Sequence, residues 1–416
     1  MSTQPTPSIL FTHRSPQHGF RLLELPPELA DLLASDKPPT LELKSPSQTS
    51  TKTSSSATTP EYVNLCTPTT TYSIRQVQSS NSLHILQPST GSAVRRGDLS
   101  IVAEGDDTGS QDTETDLDRN LNIEGAVTTI AKCGSTLELH ISPEGFSAEG
   151  FLRDVVRVYA RDADGDIDME MGGDEYERDE HTTRNILDRL FADIPVSRAQ
   201  CERGWIQMCG FVLPPHAGAA AAPAASSYCW RPSSAMKLEV WKRVTEGAVL
   251  QAIDLGKQFL VKDLWKSVLD DDGLEPFPKP LFEAVVRRIR DEGDSPGISL
   301  PGSELKWASI DRECCVRWVG ETYLEVMAPG AGSAVSHVEF LSSWKDQLPE
   351  TWRDDVSLSI LPEACYMHPD SKTVCFATEA DRQKVKKNLP TDTSAATTAK
   401  KTRNWHELFK NQRQKR

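Results

Sequence analysis

The chain has 416 residues and a formal net charge of −14, and its length predicts several domains of ordinary size. Hydrophobic residues make up only 38% of it, which predicts that part of the chain is disordered. No run of apolar residues is long enough to span a membrane, and residues 1–15 lack the apolar stretch of a signal peptide. Nine cysteines in such a chain predict free thiols in a reducing compartment.

The charge is distributed unevenly along the chain. Residues 382–416 hold eleven basic and two acidic side chains, whereas residues 104–118 hold seven acidic side chains and no basic one. Residues 161–180 hold ten acidic and two basic side chains. A basic tail on an acidic body indicates an arm for nucleic acid or for an acidic partner. A solvated, disordered tail is an equally good interpretation of the charge alone.

The first 145 residues are predicted to be mainly β. Residues 22–33 interrupt this pattern with a short predicted helix after Pro26 and Pro27. Residues 79–81 predict a turn between two strands, and residues 136–141 alternate as a half-buried strand does. The other predicted strands are Tyr62–Cys66, Tyr72–Val77, Leu83–Gln87 and Leu99–Ala103. Many short strands separated by turns predict a small barrel or a sandwich, and the domain is predicted to be β-barrel-like.

After residue 151 the apolar spacing changes to that of helices. The clearest predicted helix runs from Leu238 to Leu255, where apolar residues recur every three or four positions. The other predicted helices are 151–160, 183–191, 282–289 and 338–347, and strands are predicted within 205–213, 297–307 and 364–377. Helices followed by a hairpin are typical of a winged helix, so the fold class is predicted to be α+β with tandem winged-helix domains.

These patterns give a predicted domain order. Residues 1–145 form a β-rich, partner-binding domain, interrupted by disordered insertions at 45–60 and 104–120. Winged-helix-like units are predicted at 151–213, which carries an acidic insertion at 161–181, and at 237–309 and 310–378. Residues 214–236 are predicted to be a linker, and residues 379–416 are the basic tail.

Several motifs resemble sites of catalysis or metal binding, but each is incomplete. Ser295 lies in a G-x-S-x-G pattern without the strand and helix that expose a nucleophile. The acidic run from Asp162 to Glu170 lacks the Gly and Glu positions of a calcium loop. Cys365, His368 and Cys375 could face one another across a hairpin, although zinc usually needs four ligands in paired spacings. No phosphate-binding loop is present. The chain is therefore expected not to be an enzyme and to carry no cofactor or metal.

Two sets of basic residues are candidates for DNA contact. The first lies on the predicted helix 282–289, where a winged helix commonly reads DNA, and the alternative is a solvated face. The second lies in the tail, where Trp405 and Phe409 are four residues apart and could stack on bases or dock on a partner. The candidates are Arg287, Arg288, Arg290, Lys384, Lys386, Lys387, Lys400, Lys401 and Arg403.

Four stretches together resemble the Dcc (defective in sister chromatid cohesion) family, a subunit of the alternative, Ctf-type replication factor C clamp loader. They are Phe20–Leu29 (FRLLELPPEL), Tyr72–Leu83 (YSIRQVQSSNSL), Arg203–Ile206 (RGWI) and Phe340–Pro349 (FLSSWKDQLP). The resemblance implies an N-terminal β-domain that folds together with a small Ctf subunit and the large clamp-loader subunit. It also implies tandem winged helices that contact DNA and DNA polymerase epsilon.

The implied function is that of a non-catalytic scaffold subunit in the nucleus. By resemblance, the complex loads or unloads the sliding clamp at replication forks with other replication factor C subunits, and it supports DNA replication and sister chromatid cohesion. Candidate partner-binding residues are Tyr72, Ile74, Val77, Leu83, Ile85, Trp405 and Phe409. The alternatives are a stand-alone winged-helix DNA-binding regulator and, third, a hydrolase that uses Ser295.

Overall fold

A computed structural model describes residues 11–13, 16–45, 62–88, 127–142, 145–160, 180–213, 225–270, 272–291 and 303–377. These residues form two compact units. Unit A comprises the described residues up to Ser233 together with Phe259–Ala308. Unit B comprises Ser234–Gln258 and residues 309–377. No helix in the described ranges is long and apolar enough to cross a membrane.

The first part of unit A is a six-stranded mixed sheet. Its strands are β1 (Phe11–His13), β2 (Leu22–Glu24), β3 (Glu42–Lys44), β4 (Asn64–Cys66), β5 (Thr71–Pro88) and β6 (Val127–His140). Their order is β1-β6-β5-β4-β3, and β2 also pairs with β6. β1 and β2 run parallel to β6, whereas β5 and β6 form a long antiparallel pair. Within the described residues the sheet is open, so the barrel-like prediction is wrong for this chain by itself.

The turn predicted at residues 79–81 is an irregularity within one strand. Gln78 pairs with Ser135 and Leu83 pairs with Cys133, so residues 79–82 lie opposite a single residue of β6. Both flanking segments follow the same partner strand in the same direction, because the chain bulges there and does not reverse. The two strands predicted on either side of the turn are therefore one strand, β5. The strand predicted at 136–141 lies at the end of β6.

The helix predicted after Pro26 and Pro27 is confirmed as α1 (Pro27–Leu33). Proline at the first helical position is favoured because its fixed backbone angle suits a helix and its missing N–H is not needed there. Leu29 of this helix is fully buried and packs with Leu65 and Tyr72 from the sheet. α1 therefore covers the part of the sheet where β4 and β5 begin.

The remaining elements follow in chain order. The helices are α2 (Glu149–Val155), α3 (Glu180–Ala192), α4 (Arg198–Gln207), α5 (Ser234–Leu250), α6 (Val261–Val268), α7 (Lys279–Ile289), α8 (Arg312–Met327) and α9 (His337–Asp346). The strands are β7 (Arg157–Tyr159), β8 (Phe211–Val212), β9 (Cys229–Pro232), β10 (Phe259–Leu260), β11 (Trp307–Ala308), β12 (Val335–Ser336), β13 (Tyr366–Met367) and β14 (Thr373–Phe376). They form three small sheets in the order β7-β9-β8, β10-β11 and β12-β14-β13.

The helix predictions are confirmed in part. α3, α5, α7 and α9 lie where helices were predicted, although α5 ends at Leu250, before the predicted end. The predicted helix 151–160 is shorter, because the chain turns into β7 after α2. Trp205, placed in a predicted strand, lies in α4. Ser197 and Gln200 form a capping box at the start of this helix. Its local hydrogen bonds favour a helix over a strand at this point.

One order of elements recurs along the chain. Helix, strand, two helices and two strands occur in turn as α2, β7, α3, α4, β8 and β9. A similar order begins at α5, and α8 begins a third with 3₁₀ turns in place of its third helix. The predicted segment 237–309 is divided between the units, since its residues up to Gln258 and its last residue, Ser309, belong to unit B and Phe259–Ala308 belongs to unit A. The predicted linker 214–236 contains β9.

Unit B is built around buried tryptophans. Trp241 of α5 donates its indole N–H to the carbonyl of Gln347 at 2.8 Å. Trp344 of α9 donates its indole N–H to the carbonyl of Val316 in α8 at 3.1 Å. Both side chains are almost fully buried, and these bonds satisfy their polar atoms within the core.

Candidate partner-binding sheet

One end of the N-terminal sheet is fastened to the helices of unit A by buried polar contacts. The Lys44 ammonium donates to the carbonyls of Phe191 at 3.1 Å and Val196 at 3.2 Å. The Asn64 amide donates to the carbonyl of Pro195 at 2.7 Å. These carbonyls belong to the end of α3 and the segment after it, where no further helical N–H can reach them. β3 and β4 thus satisfy backbone groups of the helical layer.

Thr71 of β5 adds further buried contacts between the sheet and the helices of unit A. Its hydroxyl donates to the side-chain oxygen of Gln200 at 2.5 Å and accepts from the backbone N–H of Ser197 at 2.7 Å. Ser197 and Gln200 are also the residues that cap α4. Thr71 is fully buried, so both bonds are shielded from water. The start of β5 is therefore held firmly against the start of α4.

The opposite end of the sheet has much less support. β4 pairs only with residues 71–73 of β5, and one further bond joins the N–H of Ile74 to the carbonyl of Val63. No strand in the described parts of the chain runs beside the outer edge of β5 from Arg75 to Pro88. A long open edge offers backbone groups on which another chain can form a ladder.

Apolar side chains are exposed along this part of the sheet. Leu83 is 49% exposed and Leu86 is 46% exposed, while Phe11 on the adjoining β1 is 53% exposed. The ring of Phe11 lies edge-on to His84, with 6.2 Å between the ring centroids. The buried cluster of this sheet, by contrast, is small and centres on Leu29, Leu65 and Tyr72. The sheet therefore leaves apolar surface uncovered where its edge is open.

The predicted partner-binding residues have different positions in the sheet. Tyr72 is 5% exposed and belongs to the core, and partner contact by Tyr72 stays a prediction. Ile74 is partly buried against the same core. Val77 and Ile85 are half-buried, and Leu83 is exposed. Periodicity alone could not separate these residues, because the bulge at 79–82 changes how the two halves of β5 pair.

An ion pair joins β5 and β6 of this sheet. The Arg75 guanidinium lies 2.8 Å from a carboxylate oxygen of Glu138 on the neighbouring strand. The hydrogen bond from Arg75 lowers the pKa of Glu138, and the neighbouring His140 adds to the effect. Both side chains are accessible to solvent, so the pair contributes little to stability. Burial raises the pKa of the Cys66 thiol at the anchored end.

The candidate DNA-binding arginines lie on and just after α7. Arg287 is buried, and its guanidinium donates to the carbonyl of Ser303 at 2.6 Å, so in this structure it bridges to the chain before β11. Arg288 and Arg290 are half-buried. DNA contact by all three stays a prediction. The tail candidates Lys384, Lys386, Lys387, Lys400, Lys401, Arg403, Trp405 and Phe409 lie outside the described residues, as does Ser295.

The cysteine and histidine trio of the predicted hairpin does not converge as a group. The hairpin itself is confirmed as β13 and β14. Cys375 is fully buried and Cys365 is half-buried, whereas His368 is exposed and pairs with His337. Within the described ranges, no three His, Cys, Asp or Glu side chains are grouped so as to hold a metal ion.

A comparison with known families shows which family the chain belongs to. Residues 20–394 match the family described as sister chromatid cohesion protein Dcc1. The chain belongs to this Dcc1 family. The match covers both units and most of the chain, and it confirms the resemblance drawn from the four sequence stretches. No curated protein matches the chain.

Membership in the Dcc1 family gives the chain a role in sister chromatid cohesion. That role is chromatin-related and belongs to the nucleus, and it suggests partners among cohesion and replication factors. The open edge of β5, with Leu83 and Leu86 exposed beside it, is therefore the candidate partner-binding surface.

Proposed function

We propose that this Dcc1-family chain is a non-catalytic scaffold subunit of the alternative, Ctf-type clamp loader. In this role the complex loads or unloads the sliding clamp at replication forks and supports DNA replication and cohesion. Partner strands from the small Ctf subunit and the large clamp-loader subunit complete the N-terminal sheet. Other replication factor C subunits, the sliding clamp and DNA polymerase epsilon belong to the same assembly.

The observation that carries this proposal is the outer edge of β5. From Arg75 to Pro88 no strand of the described chain runs beside it, and Leu83 and Leu86 are about half exposed. A partner strand would pair with the exposed backbone groups, and its side chains would cover the leucines. Burying a leucine fully is worth about 1.5–3 kcal/mol, so covering each half-exposed side chain is worth about 1 kcal/mol.

DNA contact is proposed for the helical segments. The recurring order of a helix, a strand and two helices, followed by one or two strands, supports tandem winged helices. In each case the first strand pairs with a strand that follows the helices, in parallel for β7 and β9 and antiparallel for the other two. Arg288 on α7 and Arg290 just after it are the proposed contacts, together with the basic tail.

The partner surface is tested by co-expressing the full chain with the small Ctf subunit and the large clamp-loader subunit. Leu83→Asp and Leu86→Asp place a charge on the proposed interface. Leu250→Asp is the matched control, because Leu250 is 78% exposed on α5 and lies outside the sheet. We expect each sheet variant to reduce recovery of the complex at least about tenfold, which corresponds to 1.4 kcal/mol.

The control is expected to recover the complex like the wild type. Equal recovery of the complex by Leu83→Asp, Leu86→Asp and Leu250→Asp would show that this edge is not the interface. Failure of the wild-type chain to recover either loader subunit would sink the assignment to the clamp loader. DNA affinity is measured separately between about 50 and 200 mM salt, where several phosphate contacts predict a steep decline.

A further inference from the structure

Two histidines and one backbone carbonyl meet on the small sheet of unit B. His337 is the first residue of α9, and His368 follows β13. Their facing nitrogens, Nε2 of His337 and Nδ1 of His368, are 3.0 Å apart. Both approach the carbonyl oxygen of Thr373 in β14, at 3.1 Å and 3.2 Å respectively. The three atoms therefore form a nearly equilateral triangle.

A single hydrogen bond does not account for this triangle. The carbonyl oxygen only accepts, and a neutral imidazole nitrogen carries either a proton or a lone pair. One N–H shared between two acceptors can serve two edges of the triangle, but the third edge then brings two lone pairs together. Two N–H groups could both donate to the carbonyl oxygen, but their protons would then lie close together. The arrangement is better matched to a cation placed equally close to all three atoms.

The edge lengths agree with metal coordination. Zinc lies about 2.0–2.1 Å from imidazole nitrogen and about 2.0–2.2 Å from oxygen. Adjacent ligands at such distances are about 3.0 Å apart in an octahedron and about 3.4 Å apart in a tetrahedron. The observed edges of 3.0, 3.1 and 3.2 Å fall in this range. Imidazole nitrogens also suit zinc, nickel, copper and cobalt better than calcium or magnesium.

The surroundings hold the triangle in place and leave one side open. The backbone N–H of His337 donates to the carbonyl of Lys372, and the ring of Tyr366 packs edge-on against His368 with centroids 5.3 Å apart. The Asp370 carboxylate accepts the backbone N–H groups of Lys372 and Thr373. It adds a negative charge next to the site. His368 is exposed, so water can reach the remaining coordination positions.

We propose that His337 Nε2, His368 Nδ1 and the Thr373 carbonyl oxygen bind a divalent first-row transition metal, with zinc as the reference ion. Water completes the coordination sphere. The bound ion joins the start of α9 to the β13–β14 hairpin and stabilises this part of unit B. With two side-chain ligands, the site is exchangeable and is distinct from the four-ligand sites of zinc fingers.

The test uses the full chain, freed of metal by chelation and titrated with zinc ions in a calorimeter. His337→Gln and His368→Gln each remove one ligand, and His181→Gln is the matched control. His181 is an exposed histidine of α3 that pairs with Asn185. We expect each ligand variant to weaken binding at the site by more than about tenfold, while the control binds like the wild type. Equal binding by all four proteins would overturn the proposal.

A second measurement does not depend on how the variants fold. Diethylpyrocarbonate modifies free imidazole nitrogens, and mass spectrometry of peptides gives the rate at each histidine. In the wild-type chain, zinc ions should slow modification of His337 and His368 at least about tenfold and leave His181 unchanged. If zinc leaves the rates at His337 and His368 unchanged, the pair is only hydrogen-bonded and the proposal is wrong.

Discussion

The hydroxyl of Thr71 joins the N-terminal sheet to the start of α4, and Thr71→Val removes it with little change in shape. The wild-type hydroxyl is fully buried, donates to Gln200 and accepts from Ser197, and the Cys66 sulfur lies 3.8 Å from it. After the substitution, the Ser197 N–H keeps only a longer contact of 3.3 Å with the Gln200 side-chain oxygen.

The cost of this substitution follows from the two bonds. A typical internal hydrogen bond contributes about 1 kcal/mol, and a buried donor left poorly satisfied costs about 1–3 kcal/mol. Together these give about 2–4 kcal/mol for the junction between sheet and helix. A loss of this size raises the population of molecules in which this junction is open by roughly 30-fold to 1,000-fold.

Amide hydrogen exchange directly measures how often the sheet and α4 separate. Peptides that cover β4, the start of β5 and α4 should lose protection in Thr71→Val, while peptides from unit B should keep theirs. Thr69→Val is the matched control, because Thr69 is exposed and bonds only locally. If the two variants exchange within about twofold of each other at these peptides, the buried hydroxyl does not hold the junction.

Two further predictions concern the cores. Gly320→Ala would place its new Cβ against the buried ring of Trp344, so we expect a loss of about 1–3 kcal/mol in urea unfolding, whereas Gly332→Ala, with open space around it, should stay near wild type. Burial raises the pKa of the Cys201 thiol from 9.0 to about 12. The folded protein therefore favours the neutral thiol, and this stability is fully present below about pH 9 and is lost as the pH rises toward 12. Between pH 8 and 10 the wild type should lose about 1 kcal/mol more in urea unfolding than Cys201→Ala, and equal losses would contradict the burial argument.

Local signals predicted several elements correctly. The two prolines before α1 define its start, and the sequence from His368 to Ser371 marks the turn between β13 and β14. α6 carried a clear apolar period at Val261, Leu264 and Val268 but was not predicted. α4 also carried a signal, the Ser197 and Gln200 capping box, but it was not predicted, and its last residues from Trp205 were placed in a strand.

The candidate sites depend on which strands pair and which distant residues meet, and apolar periodicity in the sequence does not predict either. Tyr72 and Leu83 both fit a β-strand pattern, but one lies in the core and the other on the open edge. The difference arises because β4 and α1 cover only the start of β5. His337 and His368 are 31 residues apart, and only the sheet of β12, β14 and β13 brings them together.

The sequence by itself determined the mixture of strands and helices, the uneven charge and the membership in a cohesion-factor family. These properties depend on composition, on spacing within one element or on matching stretches, so neighbours along the chain are sufficient to specify them. Only the tertiary structure decided that the N-terminal sheet is anchored at one end and open at the other. That outcome depends on which strands and helices meet, because the burial of a side chain is a property of the assembled layers.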